Sequence, residues 1–191
     1  MRKTRSGRGA GEAEVLRRLA RVKLFSIDVD GVLTDGGLYY DDDGRIHRKY
    51  NVKDGVGIKR AMEAGVQFAI VSAGPSGSVP ERASTLGIEH VFTGVGDKLA
   101  VVSGLCDELG IHLADVAHIG DDLNDVPLMK AVGCAITVAD AEQGAWEAAL
   151  MVTERNGGGG AVREICDLMV KARATEKTAD EKGDERKGKK A

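Results

Sequence analysis

The sequence predicts an α/β fold, a doubly wound parallel sheet in three layers. Three observations carry that expectation. Short apolar runs alternate with helical patterns, several of those runs end in small or acidic residues, and no run reaches the ~18 apolar residues of a membrane span. In chain order, 22–30 (VKLFSIDVD) is an apolar run that ends in carboxylates and reads as a buried strand. Further strands are expected at 66–72 (VQFAIVS), 90–92 (HVF), 116–120 (VAHIG) and 134–138 (CAITV), each too short for a helix. Helical patterns lie between and after them at 54–64, 79–86, 97–109, 122–132, 140–149 and 161–173. One insertion breaks the rhythm. Residues 36–51 (GGLYYDDDGRIHRKYN) hold two β-prone runs around Asp43-Gly44, a strong hairpin turn pair. This flap leaves the edge of the sheet where open parallel folds bind ligands.

A chain of 191 residues suits one domain, here 23–173, with a basic extension over 1–22 and a charged, unstructured tail over 174–191. The net charge of −3 is unevenly spread. Residues 1–23 contribute +6 and 171–191 contribute +3, so 24–170 carries −12. A core of that sign lacks the basic face that phosphate neutralisation requires, which argues against nucleic acid as a partner. The basic ends read as solvated tails. Cys106, Cys134 and Cys166 have no CxxC spacing and read as small core residues in a reducing cytoplasm. His47, His90, His112 and His118 have no ligand spacing and read as structural or surface residues, and Trp146 reads as core.

The chemistry concentrates at strand ends. Asp28 and Asp30, two residues apart at the end of an extended run, tend to the same side. Asp121 and Asp122 end the strand VAHIG. Either pair alone could be turn or cap chemistry, but parallel topology brings both to one edge, where a carboxylate cluster is costly without a hard cation. Oxygen ligands without His or Cys fit Mg²⁺. Ser72 at a third strand end and Lys98 at a helix start add a hydroxyl and an ammonium, suited to the oxygens of a transferring phosphoryl group.

DVDGVLTD (28–35), Ser72, Lys98 and GDDLND (120–125) resemble, in order, the four motifs of the haloacid dehalogenase superfamily. Over about 23–170 the chain is similar to its capless subgroup, the 3-deoxy-D-manno-octulosonate 8-phosphate phosphatases. NVKDGVGIK (51–59), RASTLGI (82–88), VADA (138–141) and GAVREICDL (160–168) carry that likeness, and sialic-acid-type 9-phosphate phosphatases look similar too. The resemblance implies a three-layer Rossmann-like sheet with a β-hairpin flap and no large cap domain. It also implies a cytoplasmic, Mg²⁺-dependent phosphatase of a phosphorylated sugar acid, serving lipopolysaccharide biosynthesis.

By the same resemblance, Asp28 is the nucleophile and Asp30 the general acid and base. Asp28, Asp121 and the backbone carbonyl of Asp30 hold the metal. Ser72 and Lys98 hold the phosphoryl oxygens, and Asp122 orients Lys98 or the metal shell. Asn124 and Asp125 read equally well as helix-start chemistry. Substrate contacts are expected at Asp30, Asn51, Val52, Lys53, Asp54, Gly55, Lys59, Gly74, Arg82 and Lys98. A homotetramer is implied, with 154–164 (ERNGGGGAVRE) as a mobile segment that closes a neighbour's site.

The chain departs from the family at Gly74, where an Arg that reaches the substrate carboxylate is usual, and in its late loop, where the usual Gly-Gly-Arg-Gly is 157–160, all glycine. An Arg restored at position 74 is expected to raise activity on the octulosonate ester. A non-catalytic oligomerisation module, of the type fused to sugar-acid cytidylyltransferases, is the competing reading. A phosphomutase would need a larger cap than the 25 residues between Ser72 and Lys98 allow.

Overall fold

The structure, a computed structural model, describes residues 5–6 and 11–188, with side chains for 11–176. In chain order the elements are β1 (Arg5–Ser6), α1 (Glu12–Arg21), β2 (Leu24–Ile27), β3 (Tyr39–Tyr40), β4 (Ile46–His47), α2 (Val52–Glu63), β5 (Gln67–Val71) and α3 (Val79–Leu86). There follow β6 (His90–Phe92), α4 (Lys98–Leu109), β7 (Val116–Gly120), α5 (Val126–Ala131), β8 (Cys134–Thr137), α6 (Gln143–Ala148), β9 (Met151–Val152) and α7 (Ala161–Gly188).

The main sheet has the order β1-β9-β8-β7-β2-β5-β6. Six strands are parallel, and β1 pairs antiparallel with β9 at the edge. Alternation along β2 and β5 explains the three layers. Phe25, Ile27, Phe68 and Ile70 face one core with α1, α2, α3 and α7, while Leu24, Ala69 and Val71 face another with α4, α5 and α6. The chain runs outward from β2 to β6, then returns to β7 on the other side of β2. The order therefore reverses between β2 and β7, and a crevice opens beyond their carboxyl ends.

The flap forms as expected, with Tyr39 opposite His47 and Tyr40 opposite Ile46. Gly44 takes φ +77°, the left-handed conformation its turn needs. All three cysteines are free and buried, whereas Trp146, expected in the core, is 39% exposed.

Both ends of the chain differ from expectation. Within the stretch read as a solvated basic tail, α1 buries Val15, Leu19 and Ala20 in the core it shares with α7. Its Glu14 accepts from Arg18 one turn later at 2.8 Å, so part of the charge is paired along the helix. Residues 1–4 and 7–10 lie outside the described residues. At the other end α7 runs on to Gly188, past the boundary placed at 173, through an Ala-, Lys- and Glu-rich stretch of good helix formers.

The glycine-rich segment 154–160 is docked rather than loose. Gly157 N–H donates to Asp140 Oδ1 at 2.9 Å, and Gly158 N–H to the Val32 carbonyl at 3.0 Å. A Cβ on Gly157 would overlap the Gly31 carbonyl oxygen. Glycine here permits backbone to lie on backbone, and 161–164, the rest of the segment read as mobile, is the first turn of α7.

Candidate active site

Asp28 follows β2 directly. Its N–H donates to the Ile119 carbonyl of β7, its Oδ1 accepts from Val29 N–H at 2.7 Å and its Oδ2 from Lys98 Nζ at 2.8 Å. The chain then turns sharply through Asp30 and Gly31. Gly31 has φ +85°, and a Cβ there would overlap the Asp121 carboxylate, so conformation and space both demand glycine. Asp30 thus sits on a turn rather than on the strand, yet shares a cavity with Asp28. That cavity, about 280 Å³, is lined by Asp28, Asp30, Ser72, Gly74, Asp121 and Asp122, among others.

Ser72 closes β5, where its N–H donates to the Phe92 carbonyl and its Oγ accepts from Gly74 N–H at 3.2 Å. Lys98 opens α4, which Asp97 caps by accepting from Ala100 N–H. The buried Lys98 ammonium lies 2.8 Å from Asp28 and 2.6 Å from Asp125. With three donors and two carboxylate partners it keeps one N–H spare.

Sequence reasoning left Asp125 undecided between roles, and the structure makes it the hub. It is 0% exposed and holds Lys98. His118 Nε2 lies 2.8 Å from Asp125 Oδ1. An ionised carboxylate only accepts, so Nε2 carries the proton. The other ring nitrogen meets Ser26 at 3.1 Å, on the neighbouring strand. Asp125 Oδ2 faces the N–H groups of Asp121 and Asp122 at 3.3 and 3.4 Å. Asp122, expected to orient Lys98 or the metal shell, is exposed and accepts from Leu123 N–H. Of Asp122 and Asp125, only the deeper Asp125 carboxylate reaches the ammonium, which it holds together with Asp28.

The carboxylates of Asp28, Asp121 and Asp125 offer oxygens within 4.8 Å of one another. Burial, with Asp125 alongside, raises Asp28 against the pull of Lys98, and pushes Asp121 up to about 7. Asp125 is buried too, but His118 and Lys98 outweigh that and hold it at about 2. For Lys98, burial disfavours the charge, and Asp28 and Asp125 overcome it and raise the amine. Three carboxylates against one ammonium leave two negative charges, so the donor set fits a hard divalent cation. Since Asp125 is committed to Lys98 and His118, the edges open to a metal are those of Asp28 and Asp121. Asp30 adds no carboxylate oxygen to the cluster, which leaves its carbonyl as the expected ligand.

The pH dependence has a definite sign. Asp28 and Asp121 both lie above their ordinary value of 3.8, so without metal they favour the folded state at low pH and lose that contribution as pH rises through about 7. A metal must displace their protons below that point. Mg²⁺ affinity, measured by calorimetry, should therefore weaken by about tenfold per pH unit for each proton displaced. The melting midpoint with Mg²⁺ minus that with chelator should be larger at pH 8 than at pH 5. An equal gap at both would rule out these carboxyls as the ligands.

The segment 51–59 and Arg82 stand apart, since none of the expected contacts there lines the cavity. Asn51 caps α2 by accepting from Lys53 N–H at 3.0 Å and donates to the Gly158 carbonyl, tying α2 to the glycine loop. Arg82 donates to the Asn51 carbonyl at 3.2 Å and lies 5.6 Å from the Tyr50 ring, and a Cβ on Gly55 would press on its guanidinium. Val52, Lys53 and Lys59 are exposed. Asp54, another of the expected substrate contacts, lies outside that lining too. It is buried, accepts from Arg163 N–H at 2.8 Å in the first turn of α7, and is pushed by burial to about 6.

Arg48, which no motif of the sequence marks, reaches Asp30 from the flap. Its Nε donates to Asp30 Oδ1 at 2.7 Å and its Nη2 to Asp30 Oδ2 at 3.0 Å.

Comparison with known proteins bears on this arrangement. Residues 91–165 match the family model of haloacid dehalogenase-like hydrolases. The 3-deoxy-D-manno-octulosonate 8-phosphate phosphatase of Escherichia coli (strain K12) is 40% identical over 164 residues, 86% of this chain and 87% of the relative. The Moraxella catarrhalis enzyme of that name, solved with magnesium ion, phosphate ion and KDO, superposes with TM-score 0.84 at 35% identity, covering 90% of this chain and 98% of the other. The cobalt-bound Haemophilus influenzae phosphatase gives 0.79 at 38% identity, over 82% and 92%.

Proposed function

Because the chain belongs to the 3-deoxy-D-manno-octulosonate 8-phosphate phosphatase family of haloacid dehalogenase-like hydrolases, we propose that it hydrolyses a sugar-acid phosphate monoester, 3-deoxy-D-manno-octulosonate 8-phosphate or the 9-phosphate of a related nonulosonic acid. The observation that carries this reading is the meeting of Asp28, Asp30, Ser72 and Asp121 in one cavity, with Lys98 buried against Asp28.

In the first step a carboxylate oxygen of Asp28 bonds to phosphorus as the bond from phosphorus to the sugar oxygen breaks. Asp30 gives its proton to that leaving oxygen. In the second step Asp30 takes a proton from water, the water oxygen attacks phosphorus, and inorganic phosphate leaves with Asp28 regenerated. Val29 N–H and Lys98 hold the Asp28 carboxylate in place. Ser72 and the spare N–H of Lys98 serve the phosphoryl oxygens as charge moves onto them. Asp28, Asp121 and the Asp30 carbonyl would hold magnesium, which supplies the charge that lets an anionic nucleophile approach an anionic ester.

A panel of sugar-acid phosphates and simple sugar phosphates tests the reading. Phosphate release is expected from the acids, to stop with chelator, and to be weaker on sugars without a carboxylate. No release from any acid would remove it.

The assembly proposed with this function is a homotetramer joined through the flaps. Tyr39 and Tyr40 stand 57% and 65% exposed there, beside Leu38, and large exposed apolar side chains in one patch suit an interface. Light scattering measures that state directly. A cytoplasmic location belongs to the same reading, and no helix among the described residues is long and apolar enough to cross a membrane.

A further inference from the structure

The Arg48 side chain is 0% exposed although it rises from a hairpin, while its partner Asp30 is 30% exposed. Both oxygens of Asp30 are held in a two-pronged fork, which fixes the plane of the carboxylate as well as its distance. Nη2 also lies 3.4 Å from the Pro75 carbonyl, in the loop that follows Ser72. Nη1 is buried without a hydrogen-bond partner. Burying a guanidinium with one arm unsatisfied costs stability, and its return here is Asp30.

Two glycines make room for it. A Cβ on Gly74 would stand 2.8 Å from Asp30 Oδ2 and 3.2 Å from Arg48 Nη2, and one on Gly77 would stand 2.8 Å from Nη1. With glycine at both 74 and 77, the Arg48 guanidinium has the space to reach Asp30. The cation at this corner of the site comes from the flap, and a side chain at 74 would press on the fork.

We propose that Arg48 is the positioning residue for Asp30. This rests on the reading of Asp30 as proton carrier. Arg48 does not line the cavity and acts through Asp30. When Asp30 hands its proton to the leaving sugar oxygen, negative charge develops on the carboxylate that the fork holds. The interaction strengthens along the reaction, which is the condition for accelerating it. The same fork aims the carboxylate at the water of the second step. Since Arg48 lies one residue beyond β4, placing Asp30 and seating the flap are a single event.

The test compares leaving groups. A sugar alkoxide needs a proton to depart, whereas 4-nitrophenolate does not. In Arg48→Gln, kcat on the sugar-acid phosphate should fall roughly 10²-fold with KM changed less than about threefold, the scale of a misplaced general acid. The first-turnover burst of nitrophenolate from 4-nitrophenyl phosphate, which reports the first step alone, should change less than about fivefold. Arg48→Lys, able to hold one oxygen but not both, should lie between. Gly74→Ala, which keeps every charge but crowds the fork, should mimic Arg48→Gln.

Equal losses on both substrates, a loss confined to KM, or an unaffected Gly74→Ala would overturn the proposal. Failure of the parent reading looks different, since wild type itself then releases nothing from sugar acids. The leaving-group comparison is in that case made on whichever alkyl phosphate wild type hydrolyses. If it hydrolyses none, Asp30 has no proton to deliver and the proposal falls too.

Discussion

Asp28→Asn is expected to abolish phosphate release, by roughly 10⁵–10⁶-fold as for other lost nucleophiles, while the protein still folds. An amide oxygen does not form the bond to phosphorus, and no other carboxylate replaces it. Asp125 is tied to Lys98 and His118, Asp121 faces the metal position, and Asp30 is in the Arg48 fork. The fold survives because the amide oxygen still accepts from Val29 N–H and Lys98 keeps Asp125 at 2.6 Å. Burial raises Asp28, so at pH 8 its charge is held against its environment and removing it relieves that cost. The melting midpoint in chelator should therefore stay level or rise. Phosphate release, the nitrophenolate burst and the melt are measured on one preparation. Substantial turnover in the variant would move the nucleophile elsewhere, and an unfolded variant would show that the Asp28–Lys98 pair is structural first.

The parts of the fold legible in the sequence are those in which one local pattern decides. Phe25, Ile27, Phe68 and Ile70 alternate with Leu24, Ala69 and Val71 across two cores, so the central strands show in their apolar runs. β1 and β9 have two residues each, too few to carry a period. α1 was hidden by its charge. The apolar spacing of Val15, Leu19 and Val22 is helical, but eight basic residues in 1–23 give the stretch the composition of a solvated tail. At the site, Asp28, Ser72 and Asp121 were legible because parallel topology sends strand ends to one edge.

Asp125 was not, since four residues after Asp121 it looks like Asn124 beside it. Only burial and a lysine 27 residues earlier distinguish the two. Arg48 reads as a solvated flap charge until Gly74 and Gly77 are seen to leave it space. Those glycines also revise the expectation for Gly74→Arg. The new side chain would begin by pressing on Asp30 and Arg48, so lower rather than higher turnover is expected. Composition alone misled over 154–160, because glycine serves a loose loop and a close backbone contact equally well.

Asp125→Asn should do the most damage to the fold. The substitution keeps the shape of the side chain but removes the charge that holds Lys98 at 2.6 Å, His118 at 2.8 Å and the turn at Asp121 and Asp122. Unlike Asp28, Asp125 is held, against its burial, below its ordinary value by His118 and Lys98 together, so removing its charge breaks a favourable buried pairing at a cost of about 3–5 kcal/mol. The Asp121 turn loses its fixed acceptor at the same time, so Mg²⁺ affinity should fall about 10–100-fold, as when an outer-shell partner is removed.

The pH dependence separates this electrostatic loss from simple repacking. Asp125 titrates at about 2 when folded, below its ordinary 3.8, so its contribution is present above pH about 4 and lost as pH falls through about 2. Denaturant melts of wild type and variant in chelator should differ by the full amount at pH 7, and by clearly less at pH 3. A difference unchanged between those two pH values would mean that Asp125 holds its neighbours by packing rather than by charge. A variant as stable as wild type at pH 7 would remove Asp125 as the hub and leave Lys98 oriented by Asp28 alone.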